Sequence, residues 1–159
     1  MTGIFKANNP NNNFLLFLYG LVLKLPLFLY PQLPRLQSSD GILYKSFTGW
    51  MIANFGKTPV VFSIISFILL FLQAVSFNKL VNDHRMLQRP NYLTGMSYLL
   101  VTSLFSEWFA LSAALITNTI LIWVWSRLST LHNNNAAKTT IFNIGLVIGL
   151  AAFFYQPAI

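Results

Sequence analysis

Three acidic residues in 159 leave little acid–base chemistry to choose from, and two of them, Asp40 and Glu107, fall in polar breaks between apolar runs. Asp40 follows Ser38-Ser39 and precedes a predicted helix. A carboxylate there suits the N-cap, accepting orphan backbone N–H groups and matching the helix dipole. The same carboxylate could act as a general base toward a sugar hydroxyl, or bind a divalent cation. Glu107 sits in the Ser106-Glu107 break, either as a solvated turn or as a second acid meeting Asp40. Asp40 and Glu107 are therefore the candidate catalytic pair. Lys24 interrupts an apolar run, where an ionisable group is costly unless paired, turned to a cavity or snorkelling, and Pro26 nearby favours snorkelling. His84 and His132 lack zinc-ligand spacing. With no cysteine, no Gly-rich phosphate loop, no nucleophile elbow and no HExxH, neither a metal nor a cofactor is expected.

The elements that must carry these residues follow from composition. Apolar residues make up 55% and charged residues 8%, against roughly 25% charged in ordinary soluble domains, so a fully water-facing surface cannot be built from this chain. The net charge of +7 comes from basic residues set singly in the gaps between apolar runs, which is the pattern of membrane flanks rather than of a nucleic-acid surface. The expected architecture is an all-α polytopic transmembrane bundle, a single domain over 1–159, with about five apolar segments, each crossing needing ~20 residues.

The segments are read near 14–30, 59–77, 92–105, 108–126 and 139–155. The first follows the turn-forming run Asn8 to Asn13. It contains Lys24 and Pro26 and lacks a signal-peptide cleavage site, so it is expected as a retained, kinked span. Between the first and second segments, 41–55 is expected as an interfacial amphipathic helix with Leu43, Phe47, Trp50 and Met51 on one face and Lys45 and Gly49 roughly opposite. Segments 92–105 and 108–126 are expected as a tight helical hairpin whose first arm is short for a full crossing. Pro90 ends any helix before it. The last segment contains Gly145-Leu146-Val147-Ile148-Gly149, a spacing that permits close approach of another helix, in a homo- or hetero-oligomer.

For alternating crossings, Lys6, Lys79, Arg85, Arg89, Arg127 and Lys138 fall on one side and Arg35, Lys45 and Lys57 on the other. The positive-inside bias then places the amino terminus in the cytoplasm of a bacterial inner membrane, with Asp40 and Glu107 both on the outer face.

The opening Met1 to Pro10, the run Phe77-Asn78-Lys79-Leu80-Val81-Asn82-Asp83 and the block Tyr92 to Glu107 resemble an uncharacterised family of multi-pass membrane proteins from Bacteroidetes. That resemblance covers essentially the whole chain and implies further spans beyond Pro157, making this the amino-terminal half of a longer protein. It implies no activity. A fainter similarity is to membrane glycosyltransferases that use polyprenyl-phosphate sugars, whose first span leads to an outer loop with an acidic motif opening an interfacial helix. Asp40-Gly41 and Tyr44 occupy that place, with Gly41 standing where that family has a second acid. The expected function is accordingly a membrane component that packs in the lipid bilayer with further helices or partners. The alternatives are a transferase acting on a lipid-linked glycan at the outer face, or a transporter subunit using Lys24, Gln73, Thr102, Thr117 and Asn118.

Overall fold

A computed structural model describes residue 5 and residues 11–34, 36–131 and 137–156. Lys6, Asn8 to Pro10, Arg35 and His132 to Asn135, all read above from the sequence, lie outside the described residues. Within them the chain is all-helical: α1 (Asn11–Leu23), α2 (Leu25–Leu29), α3 (Ile42–Phe55), α4 (Pro59–Asp83), α5 (Leu93–Leu104), a 3-10 helix (Ser106–Phe109), α6 (Ala113–Ser129) and α7 (Ala137–Phe154).

Two of these are both long and apolar enough to cross a membrane, α4 with 25 residues and α7 with 18. α1 and α5 are apolar but shorter. The shortfall has local causes. Pro26 has no N–H and its ring collides with the carbonyl four residues back, so α1 ends at Leu23 and the chain restarts as the five-residue α2. α5 has 12 residues, roughly 18 Å at 1.5 Å per residue. The hairpin expected after it is not tight. Phe105 is extended, the Ser106–Phe109 3-10 turn follows, Ala110 is extended again, and α6 begins only at Ala113, after the N-cap Ser112, whose hydroxyl accepts from the Leu115 N–H.

Packing groups the chain into two compact units. The first comprises 1–33 and 59–111, the second 34–58 and 112–159. In the first, α5 packs on α1 and α4 through Gly95, Leu99 and Thr102, one turn apart. The approach is close enough that a Cβ on Gly95 would lie 3.0 Å from Leu16 and 3.3 Å from the Ala74 carbonyl, and one on Gly20 3.1 Å from Leu99. Small residues of this kind let apolar helices gain contact where water supplies no drive. Phe17 stands edge-on to Phe67 and Phe71, and Phe28 to Phe67, each such pair contributing about 0.5–1.5 kcal/mol beyond burial.

In the second unit α7 pairs with α6 and with α3. α3 buries Tyr44, Thr48 and Met51. Leu43 and Trp50 are exposed, Phe47 is half-buried, and of the expected apolar face only Met51 is fully buried. The polar Thr48 is accommodated on the inner face because its hydroxyl donates back to the Tyr44 carbonyl at 2.9 Å.

Candidate functional site

Among the described residues each unit buries one charge, and the two are handled alike. In the first, the break at Lys24 leaves the backbone satisfied, since its N–H donates to the Gly20 carbonyl at 2.9 Å and its carbonyl accepts from Leu27 N–H at 3.0 Å. The side chain is 0% exposed. Its Nζ donates to the Thr102 carbonyl at 2.7 Å and lies 4.6 Å from the centroid of the Phe109 ring. Thr102 is in the last turn of α5, where four carbonyls have no partner within the helix and the dipole favours a cation. Lys24 thus supplies what that helix end lacks, while the Phe109 face adds a cation–π contact. The snorkelling expected from Pro26 is not what happens. The kink turns the side chain inward, onto an orphan carbonyl that sequence spacing does not reveal.

In the second unit, Asp40 is 5% exposed and is not the cap of α3. The N-cap is Gly41, which makes no side-chain bond. Instead the Asp40 carboxylate accepts from Gln37 N–H at 2.6 Å while its own N–H donates to the Gln37 carbonyl at 3.2 Å, closing a reciprocal turn. That turn is clasped to the end of α7. Asp40 pairs antiparallel with Tyr155, Gly41 N–H donates to the Phe154 carbonyl at 2.9 Å, and Gln156 N–H donates to the Ser39 carbonyl at 3.2 Å. The N-cap expectation fails because the residue nearest the helix is a glycine pressed onto another backbone: a Cβ at Gly41 would collide with the Phe153 carbonyl oxygen. No second acid could stand at Gly41 without moving α7. Tyr44, fully buried one turn into α3, has its hydroxyl proton held well above the usual tyrosine range, first by burial and then by the Asp40 charge. Sequence reasoning placed Tyr44 only by position. Its spacing of four from Asp40 is the signal that could have found it.

Glu107 lies exposed in the 3-10 helix of the first unit, and His84 is exposed at the end of α4. Among the described residues no three His, Cys, Asp or Glu side chains are grouped to hold a metal. Of the transporter set, Gln73 accepts from the Tyr98 hydroxyl at 2.6 Å in the first unit, and Thr117 is buried in the second with its hydroxyl unpartnered among the described residues. Gly145 and Gly149, read as a close-approach motif, have nothing within 4 Å of where a Cβ would stand. The chemistry available among the described residues is therefore a carboxylate committed to a turn, whose charge reaches the buried Tyr44, and an ammonium committed to a helix end.

No protein-family model, curated protein or solved structure matches the chain.

Proposed function

We propose that the protein is a multi-pass inner-membrane component, amino terminus cytoplasmic, whose carboxyl-terminal helix seats against a further helix or partner subunit. All five apolar segments cross or enter the bilayer, the short α1–α2 and α5 by tilt or local thinning. What supports this reading above all is α7. Only 11% of its apolar window is buried, against 39% for α4, and Ile144 and Ala151 are its buried residues. The core helix of a water-soluble protein is buried over at least one broad stripe. A helix this bare needs lipid or another helix around it. Its glycine face, Gly145 and Gly149, gains most from a helix, because lipid already satisfies the larger apolar side chains.

A cysteine pair engineered on α7 is the test. In lipid, crosslinking to a partner or second copy is expected to fall at least about tenfold on Gly149→Leu. A wild-type protein that is monomeric, with crosslinking untouched by Gly149→Leu, removes the support for this reading. Orientation is read separately by labelling cysteines at Ser38 and Asn134, expected to react from the outer and cytoplasmic sides respectively.

A second reading, a transferase on lipid-linked sugars, draws on the buried Asp40 carboxylate beside Tyr44 at the start of α3. It separates cleanly from a structural role. Asp40→Asn keeps an oxygen for the Gln37 N–H and so keeps the turn, yet it removes the base that a transferase needs. Sugar transfer by the wild type that is lost in Asp40→Asn, at unchanged stability, would establish this reading in place of the first.

A further inference from the structure

At the carboxyl-terminal end of α4, within the first unit, an open cleft of about 400 Å³ is lined by Asn13, Asn78, Lys79, Asn82, Asp83 and Tyr92 among others. Its volume falls in the range of small-ligand sites, about 300–1,000 Å³. The walls are built rather than incidental. α4 ends in a left-handed turn at Arg85 (φ 50°), with Met86 N–H donating to the Val81 carbonyl at 3.0 Å and Arg85 N–H to the Asn82 carbonyl at 3.1 Å. The loop beyond is then closed by Asn82, whose amide donates to the Asn91 carbonyl at 2.8 Å and accepts from Asn91 N–H at 3.2 Å. Asn78 is 5% exposed and gives its oxygen to Gly95 N–H at 3.2 Å. That bond leaves its NH2 group as a donor at the cleft.

The charges are the informative part. Lys79 and Asp83 stand exposed one turn apart on a single face, with roughly 5–6 Å between the Cβ positions of such a pair, and they are not joined in an ion pair. A purely anionic ligand meets the Asp83 carboxylate, and a purely cationic one meets the Lys79 ammonium. A ligand carrying a phosphate and an ammonium a few bonds apart satisfies both, with the Asn78 NH2 bonding a second phosphate oxygen. Depth points to where such a ligand comes from. The 25 residues of α4 extend roughly 37 Å, against a hydrocarbon core of ~30 Å. A helix entering hydrocarbon at Pro59 therefore delivers Lys79 to Asp83 into the headgroup layer. This placement rests on α4 being a span.

We infer that the cleft holds a phosphate–ammonium headgroup, that of phosphatidylethanolamine, with Lys79 and Asn78 on the phosphate and Asp83 on the ammonium. The full chain, reconstituted with equal phosphatidylethanolamine and phosphatidylglycerol, is examined by native mass spectrometry of retained lipid. Preferential retention of phosphatidylethanolamine is expected, reduced about tenfold by Lys79→Gln and by Asp83→Asn alike, the effect of losing one charge-assisted hydrogen bond. Lys138→Gln, which removes the same charge elsewhere, should leave retention unchanged. Equal or stronger retention of phosphatidylglycerol, or stronger lipid retention in Asp83→Asn, overturns the inference. Competition by soluble phosphoethanolamine with no lipid retained overturns the lipid as source. Extraction of the wild type by alkaline carbonate identifies failure of the span assignment instead, and is scored before the lipid arms are read.

Discussion

Lys24 and Asp40 are the same problem solved with opposite signs. Each is a charge almost wholly removed from solvent, and each is answered by backbone. The ammonium takes the Thr102 carbonyl at a helix end, the carboxylate takes the Gln37 N–H in a turn. An ion pair of two side chains would have to recover two desolvation costs and hold two flexible chains in register. A backbone dipole already fixed by folding has only one charge to accommodate. The difference between the two lies in what surrounds them. The main chain of Lys24 bonds only within four residues, to Gly20 and Leu27, so its distant contacts are those of the side-chain tip with one carbonyl and one ring, whereas the main chain of Asp40 is itself bridged to the end of α7. The anion's position is therefore secured by backbone contact, and the cation's by side-chain packing.

That contrast breaks most visibly at Gly41. Because a Cβ there meets backbone rather than a side chain that could move, Gly41→Val should destabilise the second unit by about 3 kcal/mol or more, measured by thermal unfolding in detergent. Gly49→Ala, on the same helix with open space around it, should be neutral or stabilising by about 0.5–1 kcal/mol. If both substitutions cost the same, close backbone contact is not what holds the Asp40 turn.

The cation should respond to shape more than to charge. Lys24→Ala leaves a cavity and an unsatisfied Thr102 carbonyl and is expected to cost about 3 kcal/mol. Lys24→Met leaves the same carbonyl unsatisfied but keeps the packing and removes the cost of desolvating the ammonium, two effects that offset each other, and should stay within about 1 kcal/mol of wild type. Denaturant midpoints of the two variants test this. A Met variant as unstable as the Ala variant would mean that the ammonium, not the volume, is required.

The smallest effect is a pH dependence at Tyr44. Its folded pKa is raised above the ordinary value of 10.0, so above that pH the unfolded chain loses a proton that the folded chain keeps. The Tyr44 contribution is complete below pH 10 and declines as pH rises above it, by at most about 1.4 kcal/mol per pH unit. Tyr44→Phe should abolish that slope while leaving stability near pH 7 little changed, as read from unfolding curves between pH 8 and 11.

How far the sequence alone reached is best seen residue by residue. Helical class was legible because long apolar runs punctuated by Pro, Gly and Asn leave no alternation of period two for strands. The break at Lys24 was legible because proline chemistry is local. Which glycines make close contact was not: the last helix carries the GxxxG spacing, yet among the described residues Gly20, Gly41 and Gly95 are the glycines pressed against other groups. Spacing along one helix says which residues share a face, and nothing about what that face meets.

By itself, then, the sequence determined the all-helical class and the positions of its few charges, while of its about five apolar segments the structure forms two helices long and apolar enough to cross a membrane. These depend on side-chain hydropathy and on restrictions of φ and ψ within a few residues. Only the tertiary structure decided that Lys24 turns inward to an orphan carbonyl, that Asp40 closes a turn instead of capping α3, and that Tyr44, Thr48 and Met51 rather than Leu43 and Trp50 form the inner face of that helix. The first depends on a partner 78 residues away, Thr102, and the second on the Gly41 backbone lying against Phe153 of α7. A backbone group without a partner looks the same in sequence as one that has found it.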